Sequence, residues 1–442
     1  MSKKISFVLP ALLFAFFGSV GVWYAQSAGD FVYRVHPPRA EVIPTGVIPT
    51  AIPFCQTSVG TLICYTPSLV RAAYDFPSSL DGSGETILIV DAFGSPTIQN
   101  DLAVFDRIFS IPPPPSFTIF CPEGCPPFNP RNPHGETDWA LETSLDVEYA
   151  HAMAPGANIV LVVAATNSGN AINVAEAKAI ERYPGSIMSQ SFGIPEIQVH
   201  GNNAQIIQAE KNYEAAAAAG ITVLASAGDS GATNGFSAPN ALFPSSDPLV
   251  VAVGGTEGNP YPGGLVGCSI PSQTCKGEYG GEQVWNEPQF AAATGGAPSL
   301  FFGVPSYQNG LGLKARTTPD VSYNAAVNGG VLVYTTFLGS PILFIVGGTS
   351  AGSPQWAAIF ALANQLAGKA LGFINPVLYS LAQSTASTLD FHDITKGNNQ
   401  LVGTPFGFAA SHGYDDASGW GTPDVARLVL DLVQCATTTS CP

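Results

Sequence analysis

Short apolar runs alternate with helical segments through the middle of the chain. The runs are rich in β-branched residues and are bounded by glycine, as buried strands commonly are. They are "ETILIVDAFG" (85–94), "ANIVLVVAA" (157–165), "GSIMSQSFG" (185–193), "ITVLASAGDSG" (221–231) and "LVVAVGGT" (249–256). The clearest helical segments cover residues 138–153 and 204–220. This alternation predicts an α/β fold with a mostly parallel central sheet and helices on both faces.

The segments that flank this pattern lack its periodicity. Residues 29–60 are rich in proline, valine and threonine, which predicts an extended arm or a short pro-segment. Residues 257–330 are rich in glycine and proline, which predicts a long surface excursion before the β pattern resumes. We therefore predict a main domain over residues 61–435, followed by a disulfide-closed tail at 436–442.

The N-terminus has the features of a secretory signal. A basic pair precedes a long apolar run, and Ala25-Gln-Ser27 offers the small residues that a signal peptidase accepts. Residues 1–28 are therefore predicted to be a cleaved signal peptide, and the protein to be secreted. The alternative is an uncleaved membrane anchor, because residues 5–24 could just span a bilayer.

The composition limits the classes of function that fit the chain. Charged residues make up 11% of it, and 16 basic against 32 acidic residues give a net charge of −16. Nucleic-acid binding is disfavoured, because it usually requires a basic stripe. With few lysines and arginines the protein would gain only a modest positive charge in acid, so the composition suits an acidic environment.

Eight cysteines fall into four closely spaced pairs. In a secreted chain such a set is typical of disulfides, and we predict the bridges 55–64, 121–125, 268–275 and 435–441. A metal site built on Cys121 and Cys125 is the alternative, but the sequence offers no partner set at zinc spacing.

Ser350 is a candidate nucleophile. It follows two glycines after an apolar run and precedes a helical pattern, so its amide would lie at the positive end of a helix. That amide could donate a hydrogen bond to an oxyanion. The alternative is a serine that only caps a buried helix. None of the six histidines has the setting of a conventional serine–histidine–aspartate triad, so a different base is needed.

Two carboxyl groups could supply that base. Glu142 and Asp146 are four residues apart in a predicted helix with large apolar residues, so they share one face. Two acids on a partly buried face cannot both ionise cheaply, which raises one pKa and couples their titration. The alternative is a solvated acidic stripe, since Asp138 and Glu148 lie on the same helix.

Other acidic residues lie at strand ends and in C-terminal turns. Asp229 follows an apolar strand and, if protonated, could donate to an oxyanion, although an Asx turn is the commoner role there. Asp393 and Asp415 lie in glycine-rich turns whose carbonyl groups could complete an oxygen cage for Ca²⁺. The alternative for this pair is two ordinary turns.

Nine segments between residues 65 and 424 carry a common pattern in a fixed order. They are "YTPSLVRAAYDFP" (65–77), "ETSLDVEYAHAMAPGANI" (142–159), "IMSQSFG" (187–193), "ASAGDSG" (225–231), "FPSSDPLVVAVGGT" (243–256), "RTTPDVSYNA" (316–325), "GGTSAGSPQWAAI" (347–359), "DITKGNN" (393–399) and "GYDDASGWGTPD" (413–424). Together they resemble the sedolisin family of serine-carboxyl peptidases. These are acid-acting endopeptidases and tripeptidyl peptidases with a subtilisin-like fold.

The resemblance implies roles for individual residues. Ser350 would be the nucleophile, Glu142 the general base and then the general acid, and Asp146 its hydrogen-bonded partner. Asp229 would form the oxyanion hole together with the Ser350 amide. The substrate backbone would contact Ser189, Ser191 and Gly193. One structural calcium ion would be held by the side chains of Asp393 and Asp415 and the carbonyls of Ile394, Ser411 and Gly413.

The chain departs from the family pattern at a few positions. Gly347 and Ser418 replace a serine and a threonine of the family, and Ser411 stands where glycine is common. Only residues 1–64 precede "YTPSLV", whereas the family usually carries a much longer folded propeptide. Either the short arm substitutes for that propeptide, or low activity at neutral pH suffices, or a separate chain helps.

We therefore expect a secreted, monomeric acid peptidase that acts on proteins or peptides, with turnover optimal at roughly pH 2–5. A catalytically inactive binding protein on the same fold is one alternative, which the four intact catalytic positions disfavour. A surface-layer or adhesion protein is another, suggested by the possible anchor, the glycine and proline content and the disulfides. A neutral-pH subtilisin relative is disfavoured by the missing histidine motif.

Overall fold

The computed structural model describes residues 31–35, 37–42, 54–132, 135–258, 279–438 and 441–442. The predicted signal peptide or anchor and the predicted Cys268–Cys275 bridge lie outside these residues. No helix within the described ranges is long and apolar enough to cross a membrane.

The strands of the described residues are mostly short. They are β1 (Arg39–Glu41), β2 (Phe54–Thr57), β3 (Gly60–Tyr65), β4 (Thr86–Ala92), β5 (Phe117–Phe120), β6 (Asn158–Ala164), β7 (Ile187–Gln190), β8 (Ile194–Pro195), β9 (Thr222–Ser226), β10 (Leu242–Phe243), β11 (Val250–Gly258), β12 (Glu282–Val284), β13 (Asn286–Glu287), β14 (Ala292–Ala293), β15 (Val321–Asn324), β16 (Gly330–Thr335), β17 (Ile342–Val346), β18 (Phe391–His392) and β19 (Thr422–Pro423). Each of the five apolar runs contains one strand, namely β4, β6, β7, β9 and β11.

The helices of the described residues include both segments predicted from the sequence, α3 and α5. They are α1 (Pro67–Ala73), α2 (Ile98–Phe109), α3 (Glu136–Met153), α4 (Gly169–Arg182), α5 (Ala204–Ala218), α6 (Thr349–Ala367), α7 (Asn375–Ala382), α8 (Ser387–Asp390) and α9 (Val425–Thr437). Side-chain caps fix several helix starts. Ser168 accepts a hydrogen bond from the Ala171 N–H at α4, and Asn203 accepts one from Gln205 at α5.

The central sheet is mostly parallel, as the sequence predicts. Its strands follow the spatial order β5-β6-β4-β7-β9-β11, with parallel pairing throughout. β11 pairs further with β15 in parallel and with β12 in antiparallel orientation. Because parallel strands all end at the same edge, the loops after β4, β7 and β9 lie close together.

Helices cover both faces of this sheet. In β4, Ile87 and Ile89 pack into a core with α2, α3, α6 and α9. The alternate residues Leu88 and Val90 pack into a second core with α4 and α5. All four of these side chains are fully buried, which explains why this part of β4 is continuously apolar instead of alternating between apolar and polar residues.

The region 257–330 is only in part the surface excursion that its composition predicts. β15 lies in this region, and all four of its residues are buried in the central sheet. Its sequence, "VSYN", does not look like a buried strand because two of its side chains are polar. Their donor groups are satisfied internally, since the Ser322 hydroxyl donates to the Ser418 carbonyl and the Asn324 amide donates to the Gly329 carbonyl.

A second sheet lies beside the central one, in the order β1-β17-β16-β3-β2. The resumed β pattern after residue 330 forms its β16–β17 hairpin rather than a strand of the central sheet. Disulfides join Cys55 to Cys64 across β2 and β3, Cys121 to Cys125, and Cys435 to Cys441. Cys121 and Cys125 are therefore bonded to each other, which removes the basis for a metal site there.

Candidate active site

The four predicted catalytic side chains meet at the carboxyl edge of the central sheet. Glu142 and Asp146 lie one turn apart on α3. Asp229 lies in the loop after β9, and Ser350 is the second residue of α6. A cleft of about 660 Å³ opens at this edge and is lined by Ser350, Asp229 and the segment that follows β7.

Ser350 is held at the start of a buried helix. Gly348 caps α6 with a φ of 97°, a conformation that favours glycine. The Ser350 N–H lies in the first turn, where helix N–H groups have no intrahelical acceptor. The residue is only 6% exposed, and its hydroxyl makes a long 3.5 Å contact to the Ser191 carbonyl.

Pro354 leaves the carbonyl of Ser350 without its usual hydrogen bond within the helix. It lies inside α6 and has no N–H, so the Ser350 carbonyl receives no hydrogen bond from the residue four positions later. The Ser191 hydroxyl lies 3.4 Å from this carbonyl and 2.9 Å from Asp146 Oδ1. Ser191 thus joins the start of α6 to the acidic face of α3.

Glu142 is completely buried beside Ser350. Burial raises the pKa of Glu142 well above its usual range, and the Ser350 hydroxyl opposes this rise. Neither carboxyl oxygen makes a well-formed hydrogen bond, so serine and carboxyl are adjacent rather than bonded. Such contacts are often loose before substrate binds, and the geometry is compatible with a base that tightens onto the serine in a complex.

Asp146 is also completely buried, one turn further along α3. Burial raises its pKa well above the usual range, with further increases from the charges of Asp91 and Glu142, while the Ser191 hydrogen bond opposes them. α3 is therefore not a solvated acidic stripe: Glu148 is buried too, and only Asp138 near its start is partly exposed.

Asp91 is a third buried carboxyl at this site. It lies near the end of β4 and is fully buried, and burial raises its pKa well above the usual range. Its charge acts on both Glu142 and Asp146. Asp91 was not among the predicted site residues, although it shares with Asp229 the position near the end of a strand.

Asp229 contacts the first residue of α6. Its Oδ1 accepts hydrogen bonds from the N–H and the hydroxyl of Thr349, both at 2.8 Å. The Thr349 hydroxyl in turn accepts a hydrogen bond from the Gly228 N–H at 3.0 Å. Thr349, for which the sequence predicted no role, therefore ties the loop after β9 to the helix that carries Ser350.

The two glycines before Thr349 are required by close packing. A Cβ atom at Gly347 would lie 2.5 Å from the Ala325 carbonyl oxygen, so no side chain fits there without a backbone shift. A Cβ atom at Gly348 would lie 2.6 Å from Asp229 Oδ2. The substitution of glycine for the family's serine at 347 thus matches the local packing of this chain.

The predicted substrate contacts divide into two groups. Ser191 and Gly193 line the cleft. Ser189 is instead fully buried in β7, where its hydroxyl lies 2.8 Å from that of Ser353 on α6. This contact fastens α6 to the sheet, and it directs the Ser189 side chain away from the cleft lining.

The predicted calcium ligands lie together in the C-terminal turns. Asp393 Oδ2 accepts from the Gly413 N–H at 3.2 Å, and Asp415 Oδ2 accepts from the Ser411 N–H at 2.8 Å. Both carboxylates therefore border the loop 411–413. No three His, Cys, Asp or Glu side chains of the described residues cluster as a metal site, but the predicted set needs only two carboxylates and three carbonyls.

No histidine of the described residues lines the cleft. The fold and the cleft together define a subtilisin-like α/β protein in which a serine at the start of a helix faces carboxyl groups.

Comparison with known proteins agrees with this class. The model of the subtilase family, Peptidase_S8, matches residues 135–420, and the chain belongs to that family, among its sedolisin relatives.

Individual relatives cover most of the chain. Kumamolisin from Bacillus sp. (strain MN-32) is 34% identical over 387 residues, which are 84% of this chain and 64% of that protein. Tripeptidyl-peptidase 1 from Rattus norvegicus is 30% identical over 425 residues, covering 90% of this chain and 68% of that protein. The structure of Pseudomonas sedolisin, a serine-carboxyl proteinase, superimposes with a TM-score of 0.69 at 26% identity, over 84% of this chain and 98% of that one.

The chain spans slightly less than two thirds of the two bacterial relatives, namely 64% of kumamolisin and 62% of sedolisin from Pseudomonas sp. (strain 101). The match to the family model and the superposition on Pseudomonas sedolisin together establish the family and the subtilisin-like fold.

Proposed function

We propose that the protein is a serine-carboxyl peptidase that hydrolyses peptide bonds through an acyl-enzyme on Ser350. The observation that carries this proposal is the position of Ser350, at the start of α6 and beside the buried carboxyl of Glu142. The relatives with peptidase names support it. Covalent catalysis of this kind divides one difficult step into two easier ones.

In the first step the Ser350 hydroxyl oxygen attacks the substrate carbonyl carbon while Glu142 takes the hydroxyl proton. Glu142 then gives this proton to the departing amine, and the peptide C–N bond breaks. Water next attacks the acyl carbonyl carbon while Glu142 takes one of its protons. The bond between the acyl carbon and the Ser350 oxygen then breaks, and Glu142 returns the proton to that oxygen, which regenerates Ser350 and releases the carboxylic acid product. Asp146, held by Ser191, would keep Glu142 in position and share its proton.

The oxyanion of each tetrahedral intermediate would be stabilised by two donors. One is the Ser350 N–H in the first turn of α6. The other is the Asp229 carboxyl in its protonated form. Because Oδ1 of Asp229 already accepts two hydrogen bonds from Thr349, the donated proton would reside on Oδ2.

The proposal includes secretion and an acidic optimum at roughly pH 2–5. The disulfides support an oxidising environment. Burial raises the pKa of both Glu142 and Asp146, so fewer molecules carry an ionised base in strong acid. We therefore expect the optimum in the upper part of that range.

The decisive experiment compares three variants with the wild type in a casein assay from pH 2 to pH 7. Ser350→Ala should lose essentially all activity and Glu142→Gln should lose at least about a hundredfold, while both keep the wild-type far-UV spectrum. Ser353→Ala, a nearby serine of α6 outside the cleft lining, is the matched control and should retain activity. Full casein cleavage by the Ser350→Ala protein would refute the proposal.

We also propose one Ca²⁺ ion at the turns that contain Asp393 and Asp415, with the carbonyls of Ile394, Ser411 and Gly413 completing the site. The oxygen-only donor set fits this hard cation, whose role would be to hold the turns together. Asp393→Asn is the sharper test, because Asp415 also accepts hydrogen bonds from Ala417 and Ser418. Added Ca²⁺ should raise the Tm of the wild type and not of this variant; equal shifts would argue against the site.

A further inference from the structure

The main chain around Asp229 is held by a neighbouring segment, residues 292–296, which we call the backing segment. The Ala293 N–H donates a hydrogen bond to the Asp229 carbonyl at 3.0 Å. The Ala293 carbonyl in turn accepts a hydrogen bond from the Gly231 N–H at 2.9 Å. The loop that carries the proposed oxyanion donor is therefore paired through its backbone with the backing segment.

The backing segment also packs tightly against the residues before Asp229. The Gly295 N–H donates a hydrogen bond to the Gly228 carbonyl at 2.6 Å. A Cβ atom at Gly295 would collide with the Ala227 carbonyl oxygen, so only glycine fits there without a backbone shift. Because the two backbones are in contact, a displacement of the backing segment would move the peptide groups on both sides of Asp229.

Asn399 joins the backing segment to this loop. Its side-chain nitrogen donates a hydrogen bond to the Gly296 carbonyl at 3.1 Å, at the end of the backing segment. Its main-chain carbonyl accepts a hydrogen bond from the Ala232 N–H at 3.1 Å, at the end of the loop. A Cβ atom at Gly231 would lie 2.8 Å from that same carbonyl oxygen, which shows how closely the loop approaches Asn399.

Asn399 is fully buried and is itself fixed by Phe408. Its main-chain N–H donates to the Phe408 carbonyl at 3.1 Å, and its side-chain oxygen accepts from the Phe408 N–H at 2.7 Å. The position therefore needs a side chain that donates and accepts at the same time, which the asparagine amide does. An aliphatic side chain would leave the Phe408 N–H and the Gly296 carbonyl without these bonds, which is costly for buried groups.

Asp229 is thus held in two ways. Thr349 binds its carboxyl oxygen Oδ1, and the backing segment binds its main-chain carbonyl. A carboxyl group stabilises an oxyanion only when its hydrogen points at that oxygen, and a misplacement of about 1 Å can lower a rate about a hundredfold. The position of the backing segment consequently matters for the proposed chemistry.

We propose that Asn399 is a positioning residue for the peptidase reaction. It holds the backing segment and the Asp229 loop together, and thereby fixes the main chain from which Asp229 reaches the oxyanion. Asn399 does not line the cleft, so it would act through Asp229 and not on the substrate. The proposal rests on the proposed peptidase function, because an oxyanion forms only if the site cleaves a peptide.

The test compares the full-length Asn399→Ala protein with the wild type, at a temperature where far-UV circular dichroism shows both to be folded. An oxyanion donor acts in the transition state, so kcat for casein should fall about tenfold to a hundredfold while KM stays within about twofold. A wild-type kcat in the Asn399→Ala protein would overturn the proposal.

Asn375→Ala is the matched control. Asn375 is also fully buried, and its side-chain nitrogen donates to the Val250 carbonyl at 3.0 Å. Its replacement should lower the Tm, as the replacement of Asn399 does, but should leave kcat within about twofold because it does not hold the Asp229 loop. An equal fall in kcat in both variants would show a general effect of lost stability and would overturn the positioning role.

Two further substitutions separate the hydrogen bonds from the size of the side chain. In acid, Asn399→Asp should keep kcat within about threefold of the wild type, because a buried, protonated carboxyl group offers one donor and one acceptor in the same shape. Asn399→Leu has a similar size but offers neither, and should lose as much as Asn399→Ala. Equal losses in the aspartate and leucine proteins would count against the proposal. Should the alanine and leucine proteins fail to fold, Asn399→Ser replaces them, since its short hydroxyl cannot hold Phe408 and Gly296 together.

Hydrogen exchange distinguishes this proposal from the proposed function. In Asn399→Ala the amides of residues 228–232 and 292–296 should exchange at least about tenfold faster than in the wild type and in Asn375→Ala. If the wild type cleaves casein and Asn399→Ala has the same kcat, the positioning role falls and the peptidase function stands. If no form cleaves casein, the peptidase function falls; faster exchange then still upholds Asn399 as the residue that orders the Asp229 loop, and unchanged exchange overturns it.

Discussion

Asp91 adds a third acid to the pair on α3. It is fully buried near the end of β4, and its charge raises the pKa of both Glu142 and Asp146. Three carboxyl groups in one buried space hold their protons jointly, so the pH dependence belongs to the cluster rather than to Glu142 alone.

Replacing Asp91 with asparagine should move the acid limb of kcat/KM to lower pH. The substitution keeps the shape of the side chain but removes a charge that opposes ionisation of Glu142, so the pKa of Glu142 falls. We expect a shift of up to about one pH unit. The measurement is kcat/KM against pH, with the exposed Glu123→Gln as a control that leaves the profile in place. A shift to higher pH would contradict this account.

The residues of the site differ in how far the sequence could predict them. Glu142 and Asp146 were predictable because helical spacing alone places them on one face. Asp91 reaches the same space only through packing of β4 against α3, which no local pattern encodes. Ser189 is the opposite case, because it was predicted to contact the substrate but does not line the cleft. Successive side chains of a strand point to opposite faces, and that of Ser189 is buried against Ser353.

At the level of elements, the strong periodic segments were predictable and the short polar ones were not. α3 begins two residues earlier than the pattern indicated, and α6 begins at Thr349, beside the expected Ser350. β15 was missed because two of its buried side chains are polar, and the hydrogen bond that allows Ser322 to be buried goes to Ser418, which is far away in sequence. The route of residues 31–35 and 37–42 depends on pairing with Gly193 and β17, which are far away in sequence.

The N-terminal segment 31–35 indicates how long a peptide the cleft accepts. These five residues extend along the cleft wall on the side of Gly193 away from Ser350: Arg34 pairs with Gly193, and the Phe31 carbonyl accepts a hydrogen bond from the Gly169 N–H. An enzyme that removes tripeptides must close its cleft three residues before the cut bond. A cleft that holds five residues there fits an endopeptidase.

We therefore expect cleavage inside long peptides and no need for a free N-terminus. A twelve-residue peptide and its N-acetylated form should be cut at the same bond, at rates that agree within about twofold. The charge of the free N-terminus lies several residues away from the bond that is cut, so it is largely screened. Mass spectrometry of the products gives both the bond and the rate. Stepwise release of tripeptides, abolished by acetylation, would contradict the prediction.

Across the whole molecule, acidic side chains that do not line the cleft are buried as well. Burial raises the pKa of Glu176 on α4 to about 8 and that of Asp247 to about 7. Each group stays protonated in the folded protein at pH values where it would ionise in the unfolded chain. The net charge of −16 at pH 7 adds general repulsion under the same conditions.

The free energy of unfolding should consequently be highest in acid. Below about pH 4 the folded and the unfolded protein both carry these protons, so the free energy of unfolding has its full value. As the pH rises toward about 8, the unfolded chain ionises first, and each group lowers the free energy of unfolding by up to ~1.4 kcal/mol per pH unit. Calorimetry from pH 4 to pH 8 should show a falling Tm. Glu176→Gln should flatten this slope, whereas Glu181→Gln, an exposed site on the same helix, should not. A Tm that rises over this range would show that ionised, paired carboxylates dominate instead.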